Sequence, residues 1–249
     1  MKTNNYLSLL FICLTIFQLS GCEDPIKTTN FTIKAGAMVE TLYLNVPNGN
    51  TSIASKLLPA YAKTVSSSGG EVLATFEVTQ LPDTDRKMTH IVLIQWTDPS
   101  KRTGSVNKGS FKKIVAALGS ENIQYGFFGS QQDTPVTLSS DKIYDFTSAW
   151  FISDDPCTFP SLFGVLGTYF SKIPPVLQEY KISQTAFFGP HPAMPKTETN
   201  VFVPHMFGIF EWQKFEDREL FNKAPRYTEH VDIRNSVLKK MDVVFAKAI

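Results

Sequence analysis

Two pairs of landmarks recur along this chain at one separation, and that recurrence restricts the fold more than any bulk property. Leu58-Pro59 is answered by Ile173-Pro174, with the prolines 115 residues apart, and Trp96 is answered by Trp212, 116 residues on. The inner distances agree as well: 37 residues separate Pro59 from Trp96, and 38 separate Pro174 from Trp212. Self-similarity at a fixed separation marks a repeated structural unit. The 249 residues are therefore expected to hold two copies of one unit, over 39–138 and 139–249.

The hydrophobic pattern says what the unit is. Leu42, Leu44 and Val46 alternate with polar residues, as a half-buried strand over 40–46 would. Pro47-Asn48-Gly49-Asn50 then turns the chain into a helix whose apolar positions Ile53, Leu57, Tyr61 and Val65 recur every four residues. Residues 72–78 and 90–97 read as strands, a polar stretch over 98–109 leads to a short helix over 110–118, and 123–128 is a fourth strand. The second half repeats the series, with strands over 143–152, 183–189, 201–212 and 241–248. Its helices fall over 160–180 and 216–233, the latter interrupted at Ala224-Pro225 because proline cannot donate an interior hydrogen bond. Strand, helix, strand, strand, helix, strand builds a four-stranded antiparallel sheet with both helices on one face, the ferredoxin-like split unit. The expected fold is α+β: two such sheets in one chain, packed face to face around a shared core or cavity. Two independent α+β domains joined near Ser139-Ser140-Asp141 are the alternative.

Composition narrows the setting. With 43% hydrophobic residues, 20 Phe and 19% charged residues, the chain has the apolar surface to form a packed core. Its 24 basic and 23 acidic residues leave no basic excess for the phosphates of a nucleic acid, so nucleic acid is not expected as a partner. Lys2 and the apolar run over 6–19 form a signal-peptide leader, too short to span a bilayer permanently. Leu19-Ser20-Gly21-Cys22 closes it in the manner of a bacterial lipobox, making Cys22 the expected lipid-attachment residue after removal of 1–21. Residues 22–38, of mixed composition, read as a tether from the lipid to the body. The expected setting is the bacterial envelope, with the membrane contacted through that lipid and the body a monomer or weak oligomer.

No nucleophile elbow, phosphate loop, dinucleotide fingerprint or His-Glu-x-x-His sequence occurs. Cys157, in Asp154-Asp155-Pro156-Cys157, has no neighbouring histidine to make it a thiolate and reads as inert. His90, His191, His205 and His230 lie on separate segments at no metal-ligand spacing, so no metal is expected. His205 is the leading polar candidate: strand alternation places His205, Phe207, Ile209 and Glu211 on one face, where an imidazole and a carboxylate can act as acid and base. Trp96 and Trp212 are candidate ligand contacts, with a place in the core as the simpler role.

The segment 209–245 resembles the closing half of small dimeric α+β barrel proteins. Phe210-Glu211-Trp212 ends a strand, a helix runs through Phe221, Pro225 and Tyr227, and Arg234 precedes Met241-Asp242-Val243-Val244. These proteins include the antibiotic-biosynthesis-monooxygenase-like group and an allied bacterial family of unknown function. The resemblance implies that the two four-stranded antiparallel sheets pack as an intrachain dimeric α+β barrel, with a small ligand held between sheet and helices. Members variously perform cofactor-independent oxygenation, haem degradation or isomerisation, with no shared catalytic signature. It suggests Tyr227 beside His205 and Glu211 as a catalytic candidate, and His230 as a ligand-binding residue and the position from which a helix histidine would reach haem, although no cofactor is expected. The leading functional expectation is an envelope lipoprotein that binds a small apolar or carboxylated ligand or a protein partner without catalysis. A cofactor-independent oxygenase or isomerase is the second, and a structural envelope component the third.

Overall fold

The computed structural model describes residues 26–47, 52–193 and 200–249. The leader, Cys22 and the turn over 48–50 lie outside the described residues. In chain order the elements begin with β1 (Thr28–Ile33), β2 (Met38–Leu44), a π-turn over Ile53–Leu57 running into α1 (Leu58–Ser67), β3 (Gly70–Asp83) and β4 (His90–Trp96). They continue with α2 (Ser100–Val106), α3 (Gly109–Leu118), β5 (Ile123–Gly129), β6 (Thr134–Ser139), β7 (Ile143–Phe151), α4 (Phe159–Lys172), α5 (Pro174–Glu179) and β8 (Ser183–Pro190). The last are β9 (Val201–Phe202), β10 (Met206–Trp212), α6 (Asp217–Lys223), α7 (Pro225–Thr228), α8 (Val231–Asn235) and β11 (Leu238–Ala248).

Within the first half the strands pair in the order β3, β4, β2, β5, and within the second in the order β8, β10, β7, β11. The two sets are not separate sheets facing one another. β3 pairs antiparallel with β11, from Phe76↔Ala248 to Asp83↔Val243, and β5 pairs with β8 at Phe128↔Pro190 and Gly129↔Gly189. With β2 also bonded to β5, the ring is closed: eight strands form one barrel and the helices lie outside it.

Strand alternation sorts the side chains. Val39, Phe76, Ile91, Phe128, Phe146, Phe188, Phe207 and Val244 point into the barrel and are buried there. Their rings pack closely, with Phe128 and Phe207 stacked 4.2 Å apart and Phe76 edge-on to Phe146 at 4.8 Å. The surface shared by the two halves is therefore a packed core, and the space for a ligand lies elsewhere. Two further clusters fill the layers between barrel wall and helices, one around Trp96, Tyr61 and Phe111 and the other around Trp212, Leu166 and Phe221.

Three local readings are corrected. Residues 28–33 are not tether but β1, paired with β6 from Thr28↔Ser139 to Ile33↔Thr134. Ile33, Val136 and Leu138 join the barrel core, so a short strand with little pattern of its own is held by a partner about a hundred residues away. The helix expected over 160–180 is two, because Pro174 lacks the N–H needed to continue α4. The polar stretch after Trp96 contains α2, whose start is held by Asp98 accepting from the Ser100 N–H at 3.1 Å. Among the described residues no helix is long and apolar enough to cross a membrane.

Candidate functional site

A cavity of about 300 Å³ opens between the barrel wall and the helices of the second half. Its floor is the outward face of three strands, represented by Asp145 and Thr147 of β7, Gly208 and Trp212 of β10, and Val243 of β11. Leu166 and Tyr169 of α4, Phe221 of α6, Tyr227 of α7 and Arg234 of α8 close it from above. Gly208 keeps part of the floor clear, since a Cβ there would come within 2.8 Å of the Phe210 ring.

Asp145 is the chemically distinctive group. It is 6% exposed, on a strand whose other helix-facing residues are Ile143, Thr147 and Ala149. The Thr147 hydroxyl donates to its Oδ1 at 2.5 Å. Burial pushes the carboxyl up to about 7, against the Thr147 hydroxyl and the Trp212 indole, which both favour the charged form. The Trp212 N–H nevertheless makes no hydrogen bond of ordinary geometry, although Trp212 is only 5% exposed.

The nearby cations are committed elsewhere. Arg218 pairs with Asp83, and Arg234 donates to the Tyr227 hydroxyl at 2.7 Å and to Asn235. Burial raises the Tyr169 hydroxyl to about 12, so at neutral pH it keeps its proton and can donate. The site thus combines a carboxyl that titrates near neutrality, two tyrosines, two arginines with partners of their own and an aromatic enclosure. Such a carboxyl can both accept and return a proton.

The residues singled out in the sequence disperse. Tyr227 and Trp212 line this cavity. His205 and Glu211 do not meet: six residues of extended chain separate them, about 20 Å. The alternation that would put them on one face fails because His205 precedes β10. Its ring stacks against Phe151 and Phe159, while Glu211 lies within 3.4 Å of the Tyr144 hydroxyl. His205 instead holds the chain, its Nδ1 accepting from the Phe151 N–H at 2.8 Å. His205→Ala should therefore lower stability by about 1–3 kcal/mol, the effect of stranding a partly buried donor. Urea denaturation would reveal it, and an unchanged midpoint would exclude this role.

Trp96 lies in the first half, donating to Glu40 at 2.9 Å. His230 stands at the N-terminal end of α8, outside the cavity lining and without a side-chain capping bond among the described residues, and Cys157 is exposed. Among the described residues no three His, Cys, Asp or Glu side chains gather as metal ligands. The cavity lining offers a porphyrin neither histidine nor cysteine, so the residues present do not fit a haem held through either.

No family model and no curated protein matches the chain. Solved structures do. An anthrone oxidase-like protein superposes with a TM-score of 0.56 at 14% identity, over 88% of this chain and 94% of that one. A candidate monooxygenase from Fusobacterium nucleatum gives 0.53 at 10% identity, over 86% and 93%. A mutant chlorite dismutase from Candidatus Nitrospira defluvii gives 0.51 at 7% identity, over 87% and 92%. At these identities the likeness is one of fold: this is a mixed α+β chain of the ferredoxin-like, dimeric α+β barrel kind.

Proposed function

We propose that the chain is a cofactor-independent proton-transfer enzyme acting on a small, flat aromatic substrate in the Asp145 cavity, as an oxygenase or an isomerase. The observation that carries this reading is a carboxyl buried in an aromatic enclosure, with no cation among the described residues paired to it, balanced near neutrality between its two protonation states. The names given to two fold neighbours, a candidate monooxygenase and an anthrone oxidase-like protein, agree with the oxygenase branch.

In the first step Asp145 takes a proton from an acidic O–H, N–H or C–H, and the bonding electrons stay on the substrate as a delocalised anion. Tyr169 faces the cavity as a donor for an oxygen on which that charge settles. In an isomerase the carboxylic acid returns the proton at another position of the conjugated system. In an oxygenase the anion gives electrons to dioxygen, which is then a second substrate. Oxygen uptake and product analysis with purified chain and aromatic phenols or quinols test the reading, with Asp145→Asn as the control. Binding without turnover would replace it by a carrier role, and neither binding nor turnover would favour a structural one.

The setting follows from the sequence. The landmark spacing and the matching strand orders of the two halves support tandem copies of one ferredoxin-like unit that close a barrel within a single chain, so a monomer suffices. The leader and Leu19-Ser20-Gly21-Cys22 support a lipid anchor holding the body in the bacterial envelope. Cys22→Ser should abolish incorporation of labelled fatty acid and move the protein from the membrane fraction to the soluble one. Unchanged labelling would dispose of the anchor.

A further inference from the structure

The first half contains the same site already filled. Trp96 stands opposite Met38, two residues ahead of Glu40 on β2, and Trp212 stands opposite Ile143, two residues ahead of Asp145 on β7. The residue across from Glu40 on the other neighbouring strand is Phe127, and the one across from Asp145 is Phe245. Glu40 and Asp145 thus hold corresponding places, each with a tryptophan and a phenylalanine in register.

Their surroundings then diverge. Glu40 is 0% exposed and ion-paired: Oε1 accepts from Arg102 Nε at 2.8 Å and lies 2.7 Å from Nη2, and Oε2 accepts from the Trp96 indole at 2.9 Å. The Arg102 guanidinium lies 4.7 Å from the centre of the Phe127 ring. Arg218 follows Trp212 by six residues, as Arg102 follows Trp96, and its guanidinium lies 5.7 Å from the centre of the Phe245 ring. Arg218 pairs with Asp83 instead. Around Asp145 this leaves a carboxyl with no cation paired to it among the described residues, an indole N–H without a hydrogen bond of ordinary geometry and a cavity where the first half has a guanidinium.

We infer that the Asp145 cavity takes an aromatic ligand carrying coplanar N–H donors, an amidine or an amino-substituted nitrogen heterocycle. Its head group occupies against Asp145 the place that the Arg102 guanidinium holds against Glu40. Such a head group offers parallel donors to a carboxylate, and its ring meets the aromatic enclosure. The inference rests on the reading of this cavity as the substrate site and names the substrate class.

Benzamidine is the probe, with benzamide as its neutral counterpart and benzoate as its anionic one, and binding is followed by calorimetry on the intact chain. Benzamidine should bind about tenfold or more tightly than either. Asp145→Asn should erase that preference and Asp145→Glu, which keeps the charge, should retain it. Absence of benzamidine binding, equal affinity for benzoate, or a preference that survives in Asp145→Asn would overturn the proposal. So would binding that appears only in Arg218→Ala, which would show that the chain's own arginine fills the place. These readouts are independent of turnover: selective binding without catalysis would leave the ligand class standing and remove the enzymatic reading, and turnover of phenols without benzamidine binding would do the reverse.

Discussion

Asp145→Asn should stop catalysis while making the folded chain more stable at neutral pH. The rate loss expected from removing a positioned general base is about 10²- to 10⁴-fold, and turnover equal to the wild type would eliminate Asp145 as that base. The stability gain follows from linkage. Asp145 holds its proton up to about pH 7 in the fold, against an ordinary value of 3.8, so between those pH values the folded chain binds more protons than the unfolded one. Stability must then fall as pH rises through this window, by about 4 kcal/mol at most, taking about 1.4 kcal/mol per pH unit. Asparagine keeps the shape and cannot ionise, so the variant should lose this component of the slope. His90 and His205 work in the opposite sense, since burial lowers both, and protonating them as pH falls opposes folding. The quantity to measure is therefore the difference between the two proteins in urea denaturation at several pH values from 4 to 8. A constant difference would mean that the carboxyl is not held neutral by its surroundings.

What the sequence discloses and conceals follows from the range of the forces involved. The helix of the second half announces itself because Leu162, Leu166 and Tyr169 lie along one face and bury together, and a periodic burial pattern is a local signal. β1 and β6 give almost no such signal, because each is short and is specified by its pairing with the other across the chain. The closure of the barrel is equally non-local: the β3–β11 and β5–β8 seams join strands from different halves. Asp145 escapes notice because one acid within 143–152 reads as a hydrated position, and only the helices packed over it make it a buried one. Two clues were present. Asp145 shares strand parity with Ile143 and Ala149, and the spacing that relates the tryptophans also relates Arg102 to Arg218. Histidine and cysteine carry chemistry that is intrinsic and legible in a sequence, whereas the raised pKa of this carboxyl is conferred by its burial.

The same contrast between the halves predicts a large effect in the first one. Arg102 and Glu40 are 2% and 0% exposed, and each has the other as its counter-charge. Removing the arginine side chain leaves the carboxylate with the Trp96 N–H and a void, and breaking a buried pair from one side costs about 3–5 kcal/mol. Arg102→Ala should therefore lose about that much stability at pH 7. Replacing both partners, Glu40→Gln with Arg102→Met, removes both charges and should cost far less than Arg102→Ala. If the single variant lost under about 1 kcal/mol, or the double variant lost as much as the single one, the arginine would be acting by packing over Phe127 rather than by neutralising Glu40. A loss that the double variant largely recovers would instead mean that Arg102→Ala gives the first half the electrostatic condition that the second has natively: a buried carboxyl beside a tryptophan, facing space, with its counter-charge left for something else to supply.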